Sequence, residues 1–442
     1  MSLIPLFETD RIQSLHSVFG AEKPLFPEII DDWTFYGEQT RDLTHCYHDY
    51  PARMIPQVSR KLLDRFGENA RTLFDPYCGT GTSLVEGRVR GLSVIGTDLN
   101  PLARFISVAK TATVSVAKLD DSMRSFKCFT MDKAEHETKT VFEIEEISRL
   151  DFWFKPDVIK KLTNLRVFIE EITDEAVRNF FFIAFSETVR ECSNTRNSEF
   201  KLYRMPSDKL EHFMPSVYET IHKKLTRNRS GLIAFMTRLE SMAEYPPSSQ
   251  VFSFNTVEGV PQGAVAPESI DIVLTSPPYG DSATTVAYGQ YSRLSAAWLG
   301  LQNLAQVDQR LMGGKPISQI PHFSSELLNI AVAQISEVDE KRAREVAAFY
   351  ADLEASVRNV APLVKRGGHV CYVVGNRRVK GVTLPTDDAV RRAFENQGFQ
   401  WHDTFVRSIP NKRMPSRNSP TNVSGAQDVT MTNEFIVVLR RQ

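Results

Sequence analysis

Residues 271–280 read Asp-Ile-Val-Leu-Thr-Ser-Pro-Pro-Tyr-Gly, and chemistry concentrates at the end of this run. Ile272, Val273 and Leu274 form a short apolar stretch that reads as a buried parallel strand. Pro277 and Pro278 have no backbone N–H, so the sheet ladder cannot continue through them. The strand must therefore stop at Ser276, and its carboxyl end opens into a rigid loop. In an open α/β sheet ligands bind at that end. The loop offers the Ser276 hydroxyl, carbonyls beside Pro277 and Pro278, and the aromatic face of Tyr279. That set suits a flat polar ring, held edge-on by hydrogen bonds and face-on by stacking.

A second group lies upstream, in Asp75-Pro-Tyr-Cys-Gly-Thr-Gly-Thr-Ser83. Gly79 and Gly81 let the backbone turn tightly and approach a ligand. Asp98 ends the next strand, 19 residues after Gly79, where a carboxylate takes the two hydroxyls of a ribose. The unit should hold an adenosine. A dinucleotide site wants a third glycine, but position 84 is Leu, and the Gly-Lys-Ser/Thr of a phosphate loop is also missing. Asp75 would repel a pyrophosphate yet suit a ligand bearing an ammonium and a sulfonium. The cofactor that fits is S-adenosylmethionine.

These loops need a sheet to hold them. Residues 69–74, 93–96, 250–256, 271–275 and 369–375 read as strands. Residues 58–66, 84–90, 345–360 and 387–396 read as helices, with Gly91 and Gly367-Gly368 as stops. Residues 281–335, rich in Ser, Ala, Gly and Gln, show no clear element. Two strand-like runs near the end, 400–408 and 434–439, fit an antiparallel hairpin on an otherwise parallel sheet. The fold class expected is α/β, Rossmann-like, with a large helical insertion. Residues 1–44 form an N-terminal extension, 45–111 and 246–442 the catalytic domain, and 112–245 an inserted helical domain that could read the target. Periodic apolar positions over 156–172 and 175–189 carry the helical reading. The chain has 442 residues and a net charge of −1, so any polyanion must be met by local patches. Its five cysteines, Cys46, Cys78, Cys128, Cys192 and Cys371, are scattered, which argues against a zinc or disulfide framework and for a reducing cytoplasm. No apolar run reaches the ~20 residues of a membrane span, so neither membrane nor metal is expected. His45, His48 and His369 read as structural residues.

The glycine turn together with Thr275-Ser-Pro-Pro-Tyr279 resembles the DNA amino-methyltransferases, and among them most the enzymes that methylate N4 of cytosine. In that family adenine enzymes usually carry Asp or Asn before Pro-Pro, and N4-cytosine enzymes usually carry Ser. The resemblance implies a catalytic set of Ser276, Pro277, Pro278 and Tyr279. It places Asp75, Tyr77, Cys78, Gly79, Thr80, Gly81 and Thr82 on the cofactor, with Asp98, Leu99 and Asn100 at its ribose. Tyr50, Pro51 and Ala52 are similar to the segment that closes over the methionine part. Many members place an acidic residue after the third strand near the cofactor adenine; here Asn255 takes that place. An aromatic amino nitrogen is a poor nucleophile, and acceptors aimed at its hydrogens favour the pyramidal form that attacks the methyl. Ser276 Oγ and the Pro277 carbonyl suit that task. Methylation at C5 would need an attacking cysteine, and residues 271–290 contain none. Cys78 reads better as a small packing residue.

The partner implied is double-stranded DNA, with the target base flipped out of the stack. A restriction endonuclease or another defence component is the further partner the resemblance implies. Three basic clusters are candidates for the DNA: Arg196, Lys201 and Arg204; Lys223 to Arg229; and Arg407, Lys412, Arg413 and Arg417. Competing readings keep the cofactor and change the target, to adenine N6, RNA or protein, or discard catalysis for a binding module.

Overall fold

The computed structural model describes residues 32–131, 144, 146–196, 201–241, 247–280, 286–409, 417–418, 428–429 and 431–442. Seven strands form one sheet: β1 (Thr72–Asp75), β2 (Ser93–Thr97), β3 (Ser249–Phe252), β4 (Ile270–Thr275), β5 (Val364–Val374), β6 (Phe399–Ser408) and β7 (Asn433–Arg441). Their spatial order is β3-β2-β1-β4-β5-β7-β6. The first five are parallel, and β7 lies antiparallel between β5 and β6. This is the expected α/β class with its terminal hairpin. Strand order reverses between β1 and β4, which puts the site for a ligand at their carboxyl ends.

Both faces of the parallel part are covered, as such sheets require. Because side chains alternate along a strand, Ile272 and Leu274 join one core and Val273 the other. The first core meets α1 (Pro56–Phe66) and α2 (Thr82–Arg88) through Val58, Leu62, Leu63 and Leu84. The second meets three helices of the C-terminal half: α9 (Glu326–Val338), α10 (Glu340–Val360) and α11 (Thr386–Glu395).

Helix α3 (Pro101–Thr111) follows β2. Between it and β3 run α4 (Val116–Met131), α5 (Pro156–Glu170), α6 (Glu175–Cys192) and α7 (Val217–Glu240). Their apolar faces converge on Phe126, Phe154, Phe180, Phe181 and Phe185. Helix α8 (Tyr288–Trp298) shares that core: the Trp298 ring sits 5.8 Å from Phe154 and 6.1 Å from Phe185. Leu102 and Ile106 of α3 belong to it too. The helical layer is thus continuous with the flank of the sheet.

Two expectations needed correction. Gly367-Gly368 does not stop α10, which ends at Val360. It lies inside β5, where the ladder skips from Ile270–Val364 to Ile272–His369. Gly367 takes φ +78°, so a β-bulge carries the strand past the extra residues. Among the described residues, 286–335 hold α8, a single helical turn at Val307–Arg310 and most of α9, which the small-residue composition concealed. Ala296 and Ala297 are fully packed against neighbouring helices rather than marking a loop.

Candidate active site

The carboxyl ends of β1, β2, β3 and β4 surround one cavity of about 930 Å³, part of it open to solvent. β1 ends in Asp75, which is 3% exposed. Its carboxylate accepts from Thr275 Oγ1 of β4 at 2.5 Å, from the Tyr77 amide at 3.1 Å and from Ser83 Oγ of α2. Asp75 therefore ties two strands to the helix behind the glycine turn. Burial pushes its carboxyl up to about 6 despite those three bonds. A cation beside it would hold the charged form.

Gly79 and Gly81 take φ values of +50° and +76°, which side-chained residues seldom adopt. A Cβ on Gly81 would lie 2.6 Å from Ser107 Oγ, so the turn packs directly on α3. Asp98, at the tip of β2, accepts from the Gly79 amide at 3.0 Å and the Asn100 amide at 2.7 Å. Burial raises its carboxyl above the ordinary range. Thr80 Oγ1 is buried on the cavity wall with no protein partner among the described residues, a hydroxyl left for a ligand.

Tyr50, Pro51, Ala52, Asp75, Tyr77, Cys78, Gly79, Thr80, Thr82, Asp98, Leu99, Asn100 and Asn255 all face this cavity, as do Ser276 and Pro278. Gly81, Pro277 and Tyr279 are not among its lining residues; Gly81 packs against Ser107 of α3. Some of these residues are occupied by other work. Asn100 caps α3 through Leu102 N at 3.0 Å, and its amide nitrogen donates to Tyr50 Oη at 2.9 Å and Ser292 Oγ at 2.8 Å. It thereby fixes Tyr50, whose ring stacks on Tyr288 at 5.9 Å. Asn255 Oδ1 accepts from Val257 N at 3.1 Å, shaping the loop after β3. Cys78 is buried among Gly96 and Leu84, and burial pushes its thiol well up, as a packing residue requires.

Reasoning from sequence missed Tyr288, Leu311 and Met312 on the wall, since nothing in residues 281–335 advertised an element there. It also missed what holds the Ser276–Tyr279 loop. Ser276 Oγ lies 3.2 Å from Tyr279 Oη, and Tyr279 Oη donates to Glu434 Oε1 of β7 at 2.9 Å. Glu434 in turn pairs with Arg407 of β6, which donates to the Trp33 carbonyl at 3.0 Å. Burial, then the Glu434 charge, push the Tyr279 phenol well above its ordinary range, so it keeps its proton.

The basic clusters fare differently. Arg204 Nε donates to the Phe152 carbonyl at 3.0 Å and its guanidinium lies over the Phe152 ring, so it is folded back onto the protein. Arg196 is exposed and Lys201 half-buried. Lys224 is buried against Glu187 and Glu191, Arg227 against Glu187, and Arg229 makes two bonds to Asp120. Lys224, Arg227 and Arg229 are thus held in ion pairs that join α7 to α6 and α4, while Lys223 stays exposed. Arg407 is buried in its pair with Glu434. Lys412 and Arg413 lie outside the described residues, as does the side chain of Arg417. The three histidines are buried or half-buried: His45 bonds Glu86 at 2.8 Å, His48 bonds Ser186 at 3.0 Å, and His369 packs on Phe66. Burial pushes each down to about 4. Among the described residues no group of three His, Cys, Asp or Glu is arranged to hold a metal, and no helix is long and apolar enough to cross a membrane.

A parallel sheet with an antiparallel terminal hairpin, a glycine turn between two buried carboxylates and a free hydroxyl on the wall define the class: an S-adenosylmethionine-dependent methyltransferase. The chain is 41% identical over 423 residues to the type II methyltransferase M.MvaI of Kocuria varians, covering 92% of this chain and 93% of that one. It belongs to the type II methyltransferases. M.MjaII of Methanocaldococcus jannaschii, another type II methyltransferase, is 23% identical over 166 residues, 36% of this chain and 30% of that one. Among solved structures, a SAM-dependent methyltransferase from Methanosarcina mazei aligns with 89% of this chain and 98% of its own, at 8% identity and a TM-score of 0.30. No family model matches.

Proposed function

We propose that the protein methylates the exocyclic N4 of a cytosine flipped out of double-stranded DNA at a short specific sequence. The observation that carries this is the position of Ser276 and Pro278 on the same cavity wall as Asp75, Gly79 and Asp98. A loop suited to an amino group thus opens onto the place suited to the methyl donor.

S-adenosylmethionine supplies an electrophilic methyl group. Asp98 and Leu99 hold its ribose, Thr80 Oγ1 gives it a hydrogen bond, and Asp75 faces its positive charges. Tyr50, Pro51 and Ala52 close the cavity over the methionine part. Ser276 Oγ and the Pro277 carbonyl accept from the two hydrogens of the target amine, which turns its lone pair toward the methyl. Tyr279 Oη meets Ser276 Oγ at 3.2 Å and so fixes the hydroxyl beside that amine. Most of the gain is positioning and expelled water. Flipping the base costs a few kcal/mol, offset by its capture in the loop. The type II relatives support a role beside a restriction endonuclease, in which methylation marks the host's own sites.

The test is transfer from S-adenosyl-[methyl-³H]methionine to unmodified genomic DNA, with RNA and Ser276→Ala as controls. Counts should enter duplex DNA and depend on Ser276. Label entering RNA alone would redirect the proposal to another substrate.

A further inference from the structure

The chain Ser276–Tyr279–Glu434–Arg407 has a direction, and the direction follows from donor counting. A guanidinium carries donors alone, so the Glu434 oxygen that meets Arg407 must accept. Arg407 is itself fixed, buried and bonded to the Trp33 carbonyl. The carboxylate of this ion pair has no proton to give, so at 2.9 Å Tyr279 must donate to it. That bond uses the single proton of Tyr279. The remaining partner of Tyr279 Oη is Ser276 Oγ at 3.2 Å, which must then be the donor. Ser276 in turn has spent its single proton. Toward the cavity it can present lone pairs alone.

We infer that Glu434 is a positioning residue which, through Tyr279, makes Ser276 an obligate acceptor and so selects a target that presents an N–H. The inference rests on the reading of Ser276 as the residue that meets the target amine. An exocyclic amino group matches such a serine. The carbonyl that thymine or uracil carries at the same ring position would meet lone pair with lone pair. A hydroxyl free to rotate would accept either, so the selectivity lies in β7 rather than in the loop that touches the base. Tyr279 is held in place by the same bonds, and its ring edge packs over Gly375, where a Cβ would lie 3.2 Å from Tyr279 Cδ2.

Glu434→Gln tests this with almost no change of shape. Arg407 has no acceptor, so the carbonyl of the introduced amide turns to Arg407 and its NH₂ turns to Tyr279. Every bond then reverses: Tyr279 donates to Ser276, and Ser276 points its proton into the cavity. The single-turnover rate of methyl transfer to DNA should fall by about 10–100-fold, less than the roughly 10²–10³-fold lost when a preorganised transition-state contact is deleted, because the hydroxyl is turned rather than removed. The affinity for S-adenosylmethionine, read by calorimetry, should stay within about twofold. The decisive reading is the same substitution in a Ser276→Ala background. There it should change the rate by less than about twofold, because the hydroxyl it reverses is gone. Tyr279→Phe, which cuts the chain, should likewise make Glu434→Gln neutral. Equal slowing in the wild-type, Ser276→Ala and Tyr279→Phe backgrounds would overturn the inference and leave Glu434 a structural ion pair. An unchanged rate in the wild-type background would overturn it as well. A wild-type protein that transfers no methyl to DNA would instead remove the reading beneath it, and this inference with it.

Discussion

The two ends of the cleft are built in different ways. At the cofactor end the contacts within the glycine turn are short in sequence: Asp98 meets the Gly79 amide 19 residues away, and Asp75 meets Ser83 at a separation of 8. At the target end they are long. Tyr279 is held by Glu434 across 155 residues, and Thr275 by Asp75 across 200. The first end is a strand–turn–helix–strand unit that carries its own wiring. The second is a Pro-Pro loop tied to the terminal hairpin through Glu434. On the proposed reading, the first kind of site can be reused for any methyl acceptor and the second sets which acceptor is used.

Four changes would break or sharpen that contrast. The largest effect belongs to the target end. Ser276→Ala should lower the single-turnover methylation rate by on the order of 10²-fold while leaving cofactor affinity unchanged, the mark of an interaction made mainly in the transition state. An equal loss in cofactor affinity would mean that the two ends are not separate.

Asp98→Ala should do the reverse. It leaves ribose hydroxyls unpaired and should weaken S-adenosylmethionine binding by roughly 1–3 kcal/mol. Calorimetry showing full affinity in a folded variant would remove Asp98 from the site.

Asp75 gives a pH signature. Without ligand its buried carboxyl is pushed up to about 6. An ammonium or sulfonium held beside it favours the carboxylate and pulls that value down, so below about 6 binding must release a proton. Cofactor affinity should therefore rise about tenfold per pH unit up to about 6 and level off above it. Affinity that is flat from pH 5 to 7 would show that Asp75 keeps to its structural bonds with Ser83, Thr275 and Tyr77.

The smallest effects concern charge. Neutralising Lys412 and Arg413 together should reduce the salt slope of duplex binding by about two, if each meets a phosphate. Arg229→Ala should leave that slope unchanged, because Arg229 is already committed to Asp120. A slope that falls with Arg229 would return its cluster to the DNA interface.

What could be read from the sequence follows the same division. The glycine turn, Asp75 and Asp98 were legible because local spacing dictates their geometry. Ser276-Pro-Pro-Tyr279 was legible because two prolines end a strand whatever surrounds them. Glu434 was not, since a lone acid at the start of a strand looks like any other until β7 is laid beside β5. Helix α8 was hidden for a related reason. Its small residues are shaped by the helices they pack against, and the sequence alone shows a Ser- and Ala-rich run. Basic clusters misled in the opposite sense. Lys224, Arg227 and Arg229 look free in sequence, yet their acids stand on α6 and α4, 33 to 109 residues earlier.

The central claim is that an uncharged serine, turned into an acceptor, directs the methyl group to the amino nitrogen of cytosine. Nucleoside mass spectrometry of DNA from cells expressing the protein tests it most directly. The account predicts N4-methylcytosine, at a level that falls when Ser276 is replaced by Ala. N6-methyladenine as the sole modified nucleoside would contradict it.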